Sequence, residues 1–241
     1  MVPLFTSHYS IGKSILTLEH PDKHKNGGPS SVFTIAKNNG LKNVALVENC
    51  LTGLPQALTV AGELGIQLSF GLSLTICEQE HKVVIFAKNS EGCKELNGIY
   101  SEAFGGDSSC VKGKRLQKLW SDNLMLCIPF YDSFIFKNVM SFENCTPDLK
   151  ALSPRLFIER NGLPFDDLIE GKVKNYASKN GLSTEVVKSI YSENKSDLEA
   201  LQTYKCVCSR RFGKSTLSKP NLDHFGSDEF TFESWKKEVS K

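Results

Sequence analysis

Few side chains in this 241-residue sequence are placed to do chemistry, and the best of them stand where short apolar runs end. Phe5-Thr6-Ser7-His8-Tyr9-Ser10-Ile11 and Asn43-Val44-Ala45-Leu46-Val47-Glu48-Asn49-Cys50-Leu51-Thr52-Gly53 each read as a strand entering a loop. In an α/β barrel a site is assembled at such strand ends. They supply one imidazole, His8, and one carboxylate, Glu48, the donor types that bind a cation able to polarise a phosphate ester. The other histidines, at 20, 24, 81 and 224, form no His-x-His or His-x-x-Glu-His group. His20 and His24 sit among Pro21, Gly27 and Gly28, which reads as an exposed loop. No Ser–His–Asp set can be nominated from spacing alone.

Two other patterns invite a phosphate reading. Gly12-Lys13-Ser14 and Gly213-Lys214-Ser215 match the end of a P-loop, which also needs a glycine five positions earlier so that backbone amides can wrap the phosphates. Ser7 and Cys208 occupy those positions, so both matches read as coincidence. Basic residues cluster at Lys112, Lys114, Arg115 and Lys118, and again at Lys205, Arg210, Arg211 and Lys214. Phosphate contact needs local charge of this kind. Lys112, Lys114, Arg115, Lys118, Arg210 and Arg211 are therefore candidates for nucleic-acid contact. A solvated helix face is the preferred alternative, because the net charge is only +2 and the aromatic residues are spaced as core.

Composition sets the outer bounds. Hydrophobic residues are 40% and charged residues 23%, ordinary for a globular chain, and this length suits one α/β domain. No apolar run approaches the roughly 18 residues of a membrane span. The start, Met-Val-Pro-Leu-Phe-Thr, lacks the basic and apolar parts of a signal peptide, so a cytoplasmic protein is expected. Eight cysteines are scattered, and the close pair Cys206-Val207-Cys208 would point its thiols apart in a helix or strand. With no Cys-x-x-Cys spacing, all eight are expected to be free thiols in a reducing cytosol.

The elements alternate. Strands are predicted at Leu4-Phe5, 44–47, 82–87, 124–128, 155–159 and 184–191, with 66–76 read as a strand pair broken at Gly71. Helices are predicted through Val32, Ile35 and Ala36 behind a cap at Ser30 or Ser31, and over 54–64, 91–104, 115–120, 166–180 and 198–211. Residues 215–233 read as polar loop, and 129–154 gives no clear pattern beyond a helical Phe134-Ile135-Phe136. Such alternation implies a mostly parallel sheet or barrel.

In this order the elements resemble the PHP (polymerase and histidinol phosphatase) domain that opens bacterial DNA polymerase III alpha subunits. Thr6 to Ser10 sits where that family has a His-x-His strand leading into a Tyr-Ser turn. Ile35 to Leu46 resembles its first helix and second strand, and Gly65-Ile66-Gln67-Leu68-Ser69-Phe70-Gly71 resembles "Gly-Ile-x-Pro-x-x-Gly". Val83 to Leu96 is the most specific match, to an apolar strand followed by "Ala-x-Asn-x-x-Gly-Tyr-x-Asn-Leu". Asn180-Gly181-Leu182 and Asp197-Leu198-Glu199-Ala200 keep the family spacing. The resemblance implies a PHP-type distorted (β/α)7 barrel, one domain over 1–241, with 198–241 as a C-terminal helical and loop extension.

It also implies which positions to inspect. The family holds up to three metal ions with His, Asp and Glu, which lower the pKa of a bound water. Its His-x-His pair falls on Leu4 and Thr6, its Asp-His pair on Glu48 and Asn49, and its third-strand acid on Ser73. A later histidine falls near Asn161, and the final Asp-x-His on Ser189 and Tyr191. Glu48 alone keeps a good ligand, with His8 two residues past a matching position. No metal, cofactor or catalytic residue is therefore expected. The resemblance suggests a non-catalytic accessory or scaffold module of a replication machine, binding a DNA polymerase or another replication or proofreading protein, with the basic segment 112–118 and the loop 20–31 as candidate contact surfaces. A free-standing module without the polymerase domain suggests a compact genome such as a bacteriophage's, acting in the host cytoplasm. Two alternatives stay open: a phosphoesterase or 3′–5′ exonuclease with a rearranged site, and a DNA-binding protein.

Overall fold

The computed structural model describes residues 1–23, 27–106, 109–208 and 227–240. Seven strands close into a barrel in chain order: β1 (Val2–Phe5), β2 (Asn43–Glu48), β3 (Gln67–Ile76), β4 (His81–Ala87), β5 (Leu124–Ile128), β6 (Arg155–Ile158) and β7 (Thr184–Ile190). β1 shuts the ring against β7, with Val2 opposite Val187 and Phe5 opposite Ile190. The alternation implies a mostly parallel sheet or barrel and the resemblance a seven-stranded one, and the fold observed is a closed seven-stranded α/β barrel.

Every strand pairing is parallel except those of β4, which runs antiparallel to both β3 and β5. The cause is local. Only Cys77 to Glu80 connects β3 to β4, and so short a link permits a hairpin but no parallel crossover. The start of β4 therefore lies at the same barrel end as the finish of the other strands.

Helices cover the outside: α1 (Val32–Asn38), α2 (Leu54–Leu64), α3 (Ser90–Phe104), α4 (Gly113–Lys118), α5 (Phe134–Met140), α6 (Asp166–Asn180), α7 (Leu198–Cys208) and α8 (Phe232–Val239). Caps follow residue chemistry. The side chains of Ser31, Asn89 and Ser133 accept first-turn amides, and Gly65 and Gly181 end α2 and α6 in the left-handed conformation. The strand period of two then sorts the apolar residues into two cores. Leu4, Val84, Phe86, Cys127, Phe157 and Val187 plug the ring, with Phe86 and Phe157 edge-on and their ring centroids 6.4 Å apart. Val44, Leu46, Leu72, Ile85, Leu126 and Leu156 face outward beneath the helices in the larger core.

Three expectations change. Residues 66–76 form one unbroken strand, not a pair, and Gly71 makes room instead of a break: a Cβ there would lie 2.7 Å from the Phe86 ring. Residues 232 and 233, read as loop, open α8, because Thr231 caps the helix through the Ser234 amide. α8 lies on the barrel wall, where Phe232 stacks on Phe5 at 6.0 Å and Trp235 Nε1 donates to the Met1 carbonyl at 3.3 Å. Of the predicted loop at 215–233, residues 215–226 lie outside the described residues, as do Arg210 and Arg211 of the predicted seventh helix.

The third correction concerns sulfur. Cys77 and Cys110 are joined by a disulfide, whereas all eight cysteines were expected to be free. Thirty-three residues separate them in sequence, so no local spacing announces the pair. A parallel bridge between Ile76 and Val111 brings them together, with the Cys77 amide donating to the Val111 carbonyl at 3.0 Å. Cys50, Cys93, Cys127, Cys145, Cys206 and Cys208 form no disulfide among the described residues. Among the described residues no helix is long and apolar enough to cross a membrane.

Closing a loop of this length in the unfolded chain is worth about 3–4 kcal/mol. Replacing Cys77 and Cys110 by serine is expected to lower stability by about that amount in urea unfolding without reductant. With reductant present, the variant and the parent should unfold alike.

Candidate functional site

The strand period continues past the plug and decides what reaches the barrel mouth. Thr6 lies two residues beyond Leu4, Asn49 two beyond Val47, Glu159 two beyond Phe157 and Ser189 two beyond Val187. Ser73 follows Gly71 in the same way. β4 runs in reverse, so its mouth residue is Lys82, two before Val84. These residues, with Leu4, Ser10, Lys13, Glu48, Tyr131, Asp132 and Tyr191, line a cavity of about 90 Å³. Seven of the eight positions carried over from the family pattern thus meet in one place: Leu4, Thr6, Glu48, Asn49, Ser73, Ser189 and Tyr191. The eighth, Asn161, is buried just behind them and touches Glu159.

Glu48 does not obey the inward parity. It shares the phase of Val44 and Leu46, which face the outer core, and its carboxylate turns toward the loop after β1. Oε1 accepts the Ser7 amide at 2.8 Å, and Oε2 accepts the Ser10 hydroxyl. The same hydroxyl oxygen accepts the Asn49 amide at 3.0 Å. Burial pushes the Glu48 carboxyl above its ordinary value, and the Ser10 and Ser7 hydrogen bonds offset part of that. Glu48 works as a clasp that folds residues 7–10 over the mouth.

Glu159 is the second carboxylate of the mouth, and the sequence reading passed over it. Ser189 donates its amide to Oε2 at 3.0 Å and its hydroxyl to Oε1 at 2.9 Å, while Asn161 Nδ2 donates to Oε2 at 3.2 Å. Burial raises its pKa, against those same hydrogen bonds and the charge of Lys188. Asn161 Nδ2 also donates to the Tyr131 hydroxyl at 3.1 Å, and that hydroxyl donates to Asp166 Oδ1 at 2.8 Å. Asp166 Oδ2 accepts the amides of Asn161 at 2.8 Å and Leu163 at 3.0 Å. Burial, with the charge of Glu159 next, keeps the Tyr131 phenol protonated. Asn161 Oδ1 is buried with no hydrogen-bond partner in this network.

The signal that could have found Glu159 is the alternation Arg155, Phe157, Glu159 at the end of a strand. Tyr131 falls in the stretch that gave no clear pattern, and Lys82 required knowing that β4 runs backwards. Lys13, dismissed with its P-loop match, does reach the mouth. Lys82 pairs with Asp132, its Nζ 3.3 Å from Oδ2.

His8 is exposed, packs on Tyr9 with ring centroids 4.4 Å apart, and holds Nδ1 3.3 Å from the Leu16 carbonyl. It is not part of the mouth lining. In the basic cluster, Lys112, Lys114, Arg115 and Lys118 are exposed on or beside α4, away from the cavity, and Arg115 Nε pairs with Glu102 at 3.1 Å. Arg210 and Arg211 lie outside the described residues.

These residues do not fit a multi-metal centre. Among the described residues no three His, Cys, Asp or Glu side chains gather where they could share a cation. Both oxygens of Glu48 and of Glu159 already accept hydrogen bonds from the protein. The remaining positions offer hydroxyl, amide and aliphatic groups, poor partners for zinc, manganese or iron.

No family model matches the chain, and no curated protein matches it in sequence. Among solved structures it is similar to PsfC from Pseudomonas syringae, with 12% identity over 79% of this chain and 76% of that one and a TM-score of 0.48. It is similar also to a candidate metal-dependent phosphoesterase from Bifidobacterium adolescentis, at 11% identity, 78% and 87% coverage and a TM-score of 0.42. A third is an amidohydrolase from Chromobacterium violaceum solved with sulfate and no metal, at 13% identity, 79% and 87% coverage and a TM-score of 0.43.

The raised carboxyls make a pH prediction. A group that holds its proton more tightly when folded stabilises most below its unfolded value, near 4.5, and that contribution is lost as pH rises through the folded value. Glu159→Gln should therefore flatten the decline in thermal stability as pH rises above 4.5. An unchanged slope would contradict the raised pKa.

Proposed function

We propose that this chain is a non-catalytic PHP-like barrel that serves a DNA replication machine as a binding module for a polymerase or a proofreading protein. One observation carries the non-catalytic part. The two buried carboxylates at the mouth, Glu48 and Glu159, accept hydrogen bonds from Ser7, Ser10, Ser189 and Asn161, the exposed one, Asp132, pairs with Lys82, and the positions where a hydrolase of this pattern keeps metal donors carry Leu4, Thr6, Asn49, Ser73, Asn161, Ser189 and Tyr191. Among the described residues no clustered donor set stands ready to lower the pKa of a water or to steady the charge of a phosphodiester in its transition state. What the chain retains is a rigid barrel with a varied surface, and such an object acts by contact.

The replication setting rests on the in-order likeness of Val83 to Leu96 and its flanking segments to the polymerase domain. Fold alone would not supply it. Direct DNA binding has less support, because Arg115 is already paired with Glu102 and the mouth mixes Lys13 and Lys82 with acidic residues.

Purified protein incubated with zinc, manganese or iron, then desalted, is expected to retain no stoichiometric metal and to leave bis-p-nitrophenyl phosphate and single-stranded DNA intact. Two or more bound equivalents, with cleavage abolished by Glu48→Ala, would overturn the reading. Affinity capture from the native host should recover a replication protein in stoichiometric amount; recovery of none removes the replication setting.

A further inference from the structure

An apolar concavity lies away from the mouth. α5 and α6 leave a groove of about 470 Å³ between them, floored by Phe134, Ile135, Val139 and Tyr176. Leu168 on α6 lines it and remains 54% exposed. At its rim stands Phe142, 89% exposed and held at φ 54°, a left-handed conformation that bulky residues rarely adopt. The chain thus accepts local strain to hold a large apolar ring in water, directly beside a hole suited to such a ring. Contiguous exposed apolar surface of this kind marks an interaction site.

Charge identifies the occupant. Glu143 follows Phe142 and is exposed; Lys172 lines the opposite side of the groove and is exposed. Neither has an ion-pair partner among the described residues. One patch therefore holds a knob, a hole, an unpaired acid and an unpaired base. A two-fold axis satisfies all four within a closed pair, because each feature of one copy then meets its complement on the other and no further copy is recruited. We propose that the occupant is a second copy of this chain, in an isologous dimer. Phe142 of each copy fills the groove of its partner, and Glu143 of each faces Lys172 across the axis.

The test is sedimentation equilibrium of the full chain at low and at high salt. The parent protein is expected to be a dimer at micromolar concentration, and Phe142→Ser to be a monomer with an unchanged far-ultraviolet circular dichroism spectrum and a thermal midpoint that no longer depends on concentration. Glu143→Lys and Lys172→Glu should each weaken association about tenfold, since the symmetry repeats every reversed pair twice. Combining the two reversals should restore the dimer. A monomeric parent overturns the proposal, and so does a dimer indifferent to Phe142→Ser. Failure of the double reversal to rescue association overturns the two-fold pairing.

Discussion

The alternation of side chains along a strand, imposed on a ring that must close, governs this molecule. Each strand offers one face to the interior and one to the helices, and the interior accepts only a few side chains. Leu4, Val84, Phe86, Cys127, Phe157 and Val187 fill it. With these in place, counting two along each strand gives the mouth residues Thr6, Asn49, Ser73, Lys82, Glu159 and Ser189, and the neighbouring loops supply Ser10, Lys13, Tyr131 and Asp132. The mouth is the next layer above a packed plug, and its chemistry is set by which residues happen to be in phase.

Phase separates the two carboxylates. Glu159 is in phase with the plug, so it points into the mouth and collects donors from Ser189 and Asn161. Glu48 is out of phase, so it points to the neighbouring loop and takes donors from Ser7 and Ser10. Both are buried, and burial without hydrogen bonds would cost each several kcal/mol. Each set of donors answers that cost, and in doing so it occupies the oxygens that a cation would need. Glu48 and Glu159 therefore serve the packing of the mouth itself.

Much of the barrel was legible because strand runs and helix caps are local. Pro55 in the first turn of α2, Gly65 and Gly181 after their helices, and the apolar runs of β2, β5 and β6 speak for themselves within a few residues. What escaped was non-local or directional. Gly71 looks like a break unless one knows that Phe86 lies across from it. The direction of β4 is invisible in its own residues, and with it the placement of Lys82. The Cys77–Cys110 bond depends on a bridge between segments thirty-three residues apart. The positions compared with the polymerase family did converge on one cavity, but the acid that dominates it, Glu159, came from strand phase and not from the family pattern.

Lys188 shows what the final helix does for the ring. It sits on the outer face of β7 with no exposure, its ammonium donating to the Arg160 carbonyl at 3.1 Å and paired with the Glu238 carboxylate of α8. A charge in that position is tolerable only while its counter-ion is present. The seam between the first strand and the last is thus sealed by a segment that emerges from the ribosome after both. Loss of the Glu238 carboxylate would leave a buried ammonium on the wall of the closing strand with less to offset its burial.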